Sequence, residues 1–157
     1  MVSCHLGGSS SLTAIRDGVA VATSMGLSPQ SGLPQNNRVG DLDVMAVPRA
    51  LDRLGLGLEE AFRQLSKESG LLGMSGLSND LRDIREAAAS GNERAAATVD
   101  FLVHEIRRYL GSFAFLLGGL DVVSFTAGIG ENDTTLRARV LGGLEDFGIR
   151  LDPARNA

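Results

Sequence analysis

The sequence predicts an α/β protein in which a layered sheet packs against helices. Short alternating segments at Met1–Leu6, Ser10–Arg16 and Val19–Thr23 are separated by Gly7-Gly8 and by Asp17-Gly18, a strong hairpin signal. These segments predict a three-stranded meander rather than a strand–helix–strand start. Helical periodicity follows, and a β-branched run returns near the end of the chain, which completes a mixed α/β pattern.

The middle of the chain is predicted to be mostly helical. The longest helix covers Glu93–Leu117 and should be central and buried, because apolar residues recur along it at helical spacing. The other predicted elements are a loop over 27–37, helices over Val44–Leu54 and Leu58–Ser69, a turn over Gly70–Gly76, a helix from Ser78-Asn79-Asp80 to Ala89, a strand over Val122–Thr126, a turn over Gly128–Asn132, a helix over Thr134–Phe147 and a last strand over Ile149–Leu151.

The composition is that of an ordinary globular protein. Hydrophobic residues make up 43% and charged residues 22% of the 157 residues, which suits one domain with its own core. The net charge of -4 offers no cationic field for nucleic acid or anionic lipid. The single cysteine, Cys4, cannot form an internal disulfide, and no leader or membrane span is visible. We therefore expect a cytoplasmic protein without nucleic-acid or membrane partners, in which Cys4 is buried.

The first candidate site is the tip of the first hairpin, where two glycines and three hydroxyls directly follow a strand. Such a tip aims backbone N–H groups and hydroxyls at phosphate oxygens, although an ordinary Gly/Ser turn explains the same residues. His5 is a candidate phosphate contact, with a capping or core histidine as the alternative. His104, inside the long apolar helix, is expected to be structural. The candidate phosphate-binding residues are His5, Leu6, Gly7, Gly8 and Ser9.

Arg38 is the second candidate, because it lies in a polar loop just before Asp41 and Asp43. A guanidinium offers planar donors and keeps its charge, which suits the charge that develops on a transferring phosphoryl group. The two carboxylates would then orient Arg38 or help to hold a hydrated Mg²⁺. The alternative is a solvated arginine in a surface ion pair with Asp41.

Two helix starts complete the candidates. Asp80, Leu81 and Arg82 lie where free N–H groups favour anions or polar ligand atoms, and a capped helix with a local ion pair is the alternative. A strand, a Gly turn and a helix run through Gly128, Ile129, Gly130, Glu131 and Asn132, where the glycines leave room for a flat nucleotide. The histidines and the cysteine have no metal-ligand spacing, so no zinc site is predicted and no residue is named as a metal ligand.

Taken in this order, five segments resemble the acetate kinase family of the actin/Hsp70/sugar-kinase superfamily. The resemblance runs from Ser3 to Asp152. It rests on Thr23-Ser24-Met25-Gly26, on Arg38 with Gly40-Asp41-Leu42-Asp43, on Ser75-Gly76-Leu77-Ser78-Asn79-Asp80-Leu81-Arg82-Asp83-Ile84, on Gly91-Asn92-Glu93-Arg94-Ala95 and on Phe125-Thr126-Ala127-Gly128-Ile129-Gly130-Glu131-Asn132.

The resemblance implies a ribonuclease-H-like fold and the ATP-binding half of an enzyme that phosphorylates a short-chain carboxylate. It assigns His5–Gly8 to the phosphates, Asp80–Arg82 to a segment beside the adenosine and Gly128–Asn132 to the adenine and ribose. Arg38 would stabilise the transition state. ATP and Mg²⁺ are the implied cofactors, and a homodimer is the implied assembly.

The chain departs from the family at two sites. Gly8, Ser9 and Ser10 stand where the family usually has Asn, Gly and Ala, which leaves the detail of phosphate contact open. Asn36-Asn37 replaces the usual Gly-Thr before the arginine, and Val39 replaces the usual Ser. Since this loop belongs to the reacting centre in the family, acetate, propionate or another short acid remains open.

The family also has an N-terminal acyl-binding domain and a C-terminal end with a metal-binding Glu, neither of which has a counterpart in residues 1–157. We therefore expect a truncated chain that is inactive alone, with the magnesium ligand outside it. The alternative function is a non-catalytic remnant that binds nucleotide or forms a dimer interface. A sugar kinase or chaperone ATPase would suit the fold but not Arg38 or Asp80–Ile84.

Overall fold

Four strands form one mixed sheet in the order β3-β2-β1-β4 in the computed structural model, which describes residues 1–157. The strands are β1 (Val2–Leu6), β2 (Ser10–Arg16), β3 (Val19–Thr23) and β4 (Val123–Thr126). β1 pairs antiparallel with β2 and parallel with β4, and β2 pairs antiparallel with β3. The predicted meander is therefore confirmed, and β4 is added beside the first strand.

The alternation of side chains along β1 and β2 explains which face of the sheet is buried. Val2, Cys4 and Leu6 of β1 are at most 1% exposed, as are Leu12 and Ala14 of β2. The β2–β3 turn has positive φ at both Asp17 (53°) and Gly18 (79°), as a two-residue hairpin of the mirror-image type requires. β3 is mostly exposed and forms one edge of the sheet.

The helices follow the predicted order. They are α1 (Ala46–Leu54), α2 (Leu58–Lys67), α3 (Gly70–Ser75), α4 (Leu81–Ala89), α5 (Glu93–Leu117), α6 (Ala127–Asn132), α7 (Thr134–Leu141) and α8 (Pro153–Asn156), with a 3-10 helix at Glu145–Phe147. α5 buries the apolar positions that its periodicity indicated, among them Val99, Ile106 and Leu110. None of the helices combines the length and the apolar character needed to cross a bilayer.

The chain divides into two compact units. Unit 1 contains Met1–Ser24 and Val103–Ala157, and therefore holds the whole sheet with α6, α7 and α8. Unit 2 contains Met25–Leu102, and therefore holds α1 to α4 with the long loop before them. The division falls inside α5, between Leu102 and Val103.

Four sequence predictions of local structure were wrong. Gly70–Gly76 and Gly128–Asn132 were expected to be turns, but they contain the short helices α3 and α6. The helix expected over Thr134–Phe147 stops at Leu141, because Gly142 is extended and Gly143 has a φ of 71°. Ile149–Leu151 forms no strand. The N–H of Ile149 donates to Leu144 O, and Asp152 then caps α8.

Candidate functional site

The carboxyl ends of β1 and β4 lie side by side in unit 1. The parallel register places His5 opposite Thr126, and the His5 Nδ1 and Thr126 Oγ1 atoms are 3.0 Å apart. The turn after β1 (Gly7–Ser9) and the turn into α6 therefore start at the same edge of the sheet. Ligands in open α/β sheets bind outside the carboxyl ends of the strands. The sequence predicted these two turns separately, and the structure brings them together.

The turn after β1 is held closed by Ser10. The Gly7 N–H donates to Ser9 O at 3.2 Å and to Ser10 Oγ at 3.3 Å, and Ser10 Oγ–H donates back to Gly7 O at 3.2 Å. Gly8 is exposed, and a Cβ placed on it would have no heavy atom within 4 Å. The open backbone of this turn is therefore at Gly8 rather than at Gly7.

The two turns approach each other at Gly7. A Cβ on Gly7 would lie 3.2 Å from the Cβ of Ala127, which is tighter than ordinary van der Waals contact. Ala127 itself has a φ of 64°, a left-handed conformation that a non-glycine residue adopts at some cost. The absence of a side chain at Gly7 therefore serves the close approach of the two turns.

The α6 turn combines one open glycine with one packed glycine. A Cβ on Gly128 would meet nothing within 4 Å, whereas a Cβ on the buried Gly130 would lie 3.4 Å from the Phe125 carbonyl carbon and 3.6 Å from Cys4 O. Both glycines were expected to leave room for a nucleotide. Only Gly128 leaves open space, and Gly130 lets α6 pack against the strands.

Charged and polar side chains fix the α6 turn. A Glu131 carboxylate oxygen, Oε1, accepts the Ala127 N–H at 2.9 Å, and the Asn132 amide donates to Gly128 O at 2.8 Å. Arg137 was not predicted, yet Nη1 donates to Glu131 O at 2.6 Å and to Gly130 O at 3.0 Å. Its position beyond the Gly motif gave no signal, since these contacts depend on how α7 packs.

The remaining predicted residues of this site differ in accessibility. His5 is exposed, which excludes the core-histidine alternative, and Leu6 is 1% exposed, so only its backbone could meet a ligand. Ile129 is half-buried. Cys4 is fully buried as expected, and burial raises the pKa of its thiol to about 12. His104 lies on α5 with 72% of its side chain accessible, and its Nε2 atom is 3.9 Å from Glu105 Oε1.

Arg38 lies in unit 2, in a loop with an extensive hydrogen-bond network. Arg38 Nη1 donates to the amide oxygen of Gln35, at 3.0 Å. Gln35 was not predicted, because a glutamine in a polar loop carries no periodic or motif signal. Next to it, the Asn36 side-chain oxygen is buried without a hydrogen-bond partner, so the unusual Asn36-Asn37 pair places an unsatisfied acceptor in this loop.

The two aspartates after Arg38 hold backbone groups. Asp41 Oδ1 accepts the Gly32 N–H at 2.8 Å, and Asp43 Oδ1 accepts the Met45 N–H at 2.9 Å just before α1. No three His, Cys, Asp or Glu side chains come together as a group that could hold a metal ion. We assign no residue of this chain as a magnesium ligand.

The α4 start shows the capped helix that the sequence left as an alternative. Asp80 accepts the Arg82 N–H at 2.9 Å and forms an ion pair with the Arg82 guanidinium at 2.6 Å. The hydrogen bonds from the Arg82 side chain lower the pKa of Asp80 from its ordinary value of 3.8 to about 2, and the hydrogen bond from the Arg82 N–H adds to this effect. Leu81 is buried, while the Arg82 side chain is 89% accessible. Among these three residues, Arg82 presents the most surface to a ligand.

The sheet with its paired Gly turns at parallel strand ends defines an α/β protein with a candidate anion-binding edge. A sequence model of the Acetokinase family matches residues 1–157. The acetate kinase of Desulforamulus reducens is 46% identical over 156 residues, which are 99% of this chain and 39% of that protein. The chain thus spans about two fifths of the length of this curated relative.

Solved structures agree with the sequence comparison. An acetate kinase from Porphyromonas gingivalis superposes with a TM-score of 0.95 at 37% identity, over 99% of this chain and 39% of that chain. A propionate kinase from Francisella tularensis superposes with a TM-score of 0.93 at 35% identity, over 99% and 40%. The chain belongs to the acetokinase family, and its fold is the ribonuclease-H-like fold of the actin/Hsp70 superfamily.

Proposed function

We propose that this chain supplies the ATP-binding side of a kinase that phosphorylates a short-chain carboxylate. The observation that carries the proposal is the juxtaposition of the two turns at the ends of β1 and β4, with His5 and Thr126 3.0 Å apart. The names of the similar proteins, acetate kinase and propionate kinase, support the reaction class. Acetate and propionate are both candidate substrates of the complete enzyme.

The chemistry of the two turns supports different roles within the nucleotide. The turn at Gly8 offers backbone and hydroxyl groups at an exposed position, which suits phosphate oxygens. The α6 turn already has the Glu131 carboxylate on its first N–H, so an anion there would be repelled. A carboxylate accepts hydrogen bonds from hydroxyls, and the open face at Gly128 suits a flat ring. We therefore assign the ribose and adenine to α6.

In the proposed reaction a carboxylate oxygen of the acid attacks the terminal phosphorus of ATP. The bond from that phosphorus to the bridging oxygen breaks, and acyl phosphate and ADP result. Phosphoryl transfer depends mainly on positioning and on neutralising charge at the transferred group. We assign the neutralising role to Arg38 on the basis of the family resemblance. Mg²⁺ bound with the nucleotide would supply positive charge that offsets part of the phosphate charge, and no residue of this chain is assigned to hold it.

Calorimetric titration of the 157-residue chain with MgATP tests the nucleotide site. Gly128→Val should weaken binding by about tenfold or more, because its side chain would fill the open space without disturbing the protein. Gly111→Val is the matched control, since Gly111 is also open but lies on α5. Equal affinities for the two variants, or no binding by the unsubstituted chain, would refute the assignment.

A hydroxamate assay with acetate and propionate separates the kinase from the alternative, a non-catalytic nucleotide-binding or dimerisation remnant. The proposal expects no acyl phosphate from this chain alone, and acyl phosphate when the remaining part of a homologous acid kinase is supplied. Nucleotide binding with no activity in either mixture would favour the remnant.

A further inference from the structure

Gln35 is a buried polar side chain that the proposed function does not yet explain. Its side chain lies in the Arg38 loop and the residue is 1% exposed. A buried amide is unfavourable unless both its donor and its acceptor are hydrogen-bonded. The contacts of Gln35 therefore indicate why a glutamine occupies a position that an apolar residue would otherwise fill.

Both ends of the Gln35 amide are engaged. Its Nε2 donates to Pro29 O at 2.6 Å, and its Oε1 accepts from Arg38 Nη1 at 3.0 Å. A backbone carbonyl only accepts, and a guanidinium only donates, so a rotation of the amide by half a turn would break both hydrogen bonds. Pro29 and Arg38 therefore determine that the Oε1 atom of Gln35, and not its Nε2 atom, faces the guanidinium.

The backbone of Gln35 is held equally firmly. Its N–H donates to Arg38 O at 3.1 Å, and its carbonyl accepts the Leu71 N–H from α3 at 2.8 Å. The same two residues, Gln35 and Arg38, are therefore joined once through the backbone and once through their side chains. An acceptor anchored in this way cannot follow a moving guanidinium, so it restricts the orientations that Arg38 adopts.

We infer that Gln35 is a positioning residue that orients the Arg38 guanidinium. The inference deepens the proposed function and rests on it, since Arg38 has its role only in phosphoryl transfer. A long arginine side chain loses rotamer freedom when it engages a ligand, and a preorganised arginine loses less. Gln35 therefore strengthens the interaction of Arg38 with the terminal phosphoryl group without touching the nucleotide.

Arginine side-chain NMR on the full 157-residue chain tests the positioning directly. Gln35→Met keeps the volume but removes the acceptor, so the Arg38 guanidinium signals should lose the splitting that slow rotation produces. Gln35→Glu restores an acceptor and should restore the splitting. Gln64→Met is the matched control, because Gln64 donates to Glu60 on α2. Arg38 signals that are the same in Gln35→Met and in the unsubstituted chain would overturn the inference.

Titration of the same samples with MgATP and MgADP tests the consequence. Gln35→Met should weaken MgATP binding by about tenfold, the effect of losing one charged hydrogen bond, and should leave MgADP within about twofold. A merely structural role would weaken both nucleotides alike, and that result would overturn the inference. If the unsubstituted chain binds neither nucleotide, the proposed function fails, and the nucleotide-free spectra alone decide whether Gln35 orients Arg38.

Discussion

The turn after β1 in unit 1 and the Arg38 loop in unit 2 use glycine for opposite reasons. Gly8 is open, with nothing within 4 Å of a Cβ placed on it. Gly70 lies against the Arg38 loop, and a Cβ there would clash with Gln35 O and lie 2.5 Å from Arg38 O. Gly8 therefore faces open space, whereas Gly70 must lack a side chain so that the backbone of the Arg38 loop can pack against it. Glycine content alone therefore does not identify a binding site.

The largest effect is expected at Gly70. Gly70→Ala should lower the free energy of unfolding by about 4 kcal/mol or more, because the methyl group meets backbone atoms that cannot move aside. Gly55→Ala is the matched control, since its φ of 64° is close to the 59° of Gly70 but its Cβ would be unobstructed. The control should cost only about 1–2 kcal/mol. Urea unfolding measures both, and equal losses would contradict the packing explanation.

An effect that is smaller per pH unit is expected from the buried thiol of Cys4 on β1. Burial raises the pKa of Cys4 to about 12, from an ordinary value of 9.0. The folded chain then keeps the thiol proton over a range in which the unfolded chain releases it. Stability should fall as the pH rises from 9.0 towards about 12, by about 1.4 kcal/mol per pH unit.

Urea unfolding at several pH values above and below 9.0 measures this dependence, with Cys4→Ala as the control that removes the titrating group. The control should lack the Cys4 part of the slope while keeping the contributions of the other residues. Parallel profiles for the two chains would mean that water reaches the thiol, and that β1 is not rigidly packed.

The smallest effect separates the two neighbouring glycines of the turn after β1. Gly7→Ala should cost about 1–2 kcal/mol of unfolding free energy, because its Cβ would press on Ala127 at 3.2 Å. Gly8→Ala should stay within about 0.5 kcal/mol of the unsubstituted chain. Thermal unfolding compares them side by side. A larger loss at Gly8 than at Gly7 would reverse the assignment of the open and the packed glycine.

Predictions from the sequence succeeded where the signal was local. The Asp17-Gly18 turn was predicted from two adjacent residues, and its φ angles agree. A helix starting at the Ser78-Asn79-Asp80 cluster was predicted, and within that cluster Asp80 accepts the Arg82 N–H. The prediction failed at Ile149–Leu151, because apolar residues form a strand only when a neighbouring strand supplies hydrogen bonds. Here the Ile149 N–H donates to Leu144 O rather than to a neighbouring strand.

The candidate site was predicted as separate motifs, and its assembly required the folded chain. The hydrogen bond between His5 and Thr126 joins residues 121 positions apart, and no periodicity or turn signal connects them. Gln35 and Arg137 were missed for a related reason, since their side chains act on backbone or guanidinium groups that the packing brings within reach.

Residue pattern and turn chemistry established the α/β class and the order of most elements, and five sequence motifs carried the resemblance to the family, because these features depend on neighbours along the chain. Packing established which glycines are open, which charges face backbone groups and which strand ends meet. Those properties depend on distances between atoms that are remote in sequence. A hydrogen bond or a steric contact acts over only a few ångströms. Its partners are therefore determined only when folding brings those atoms together.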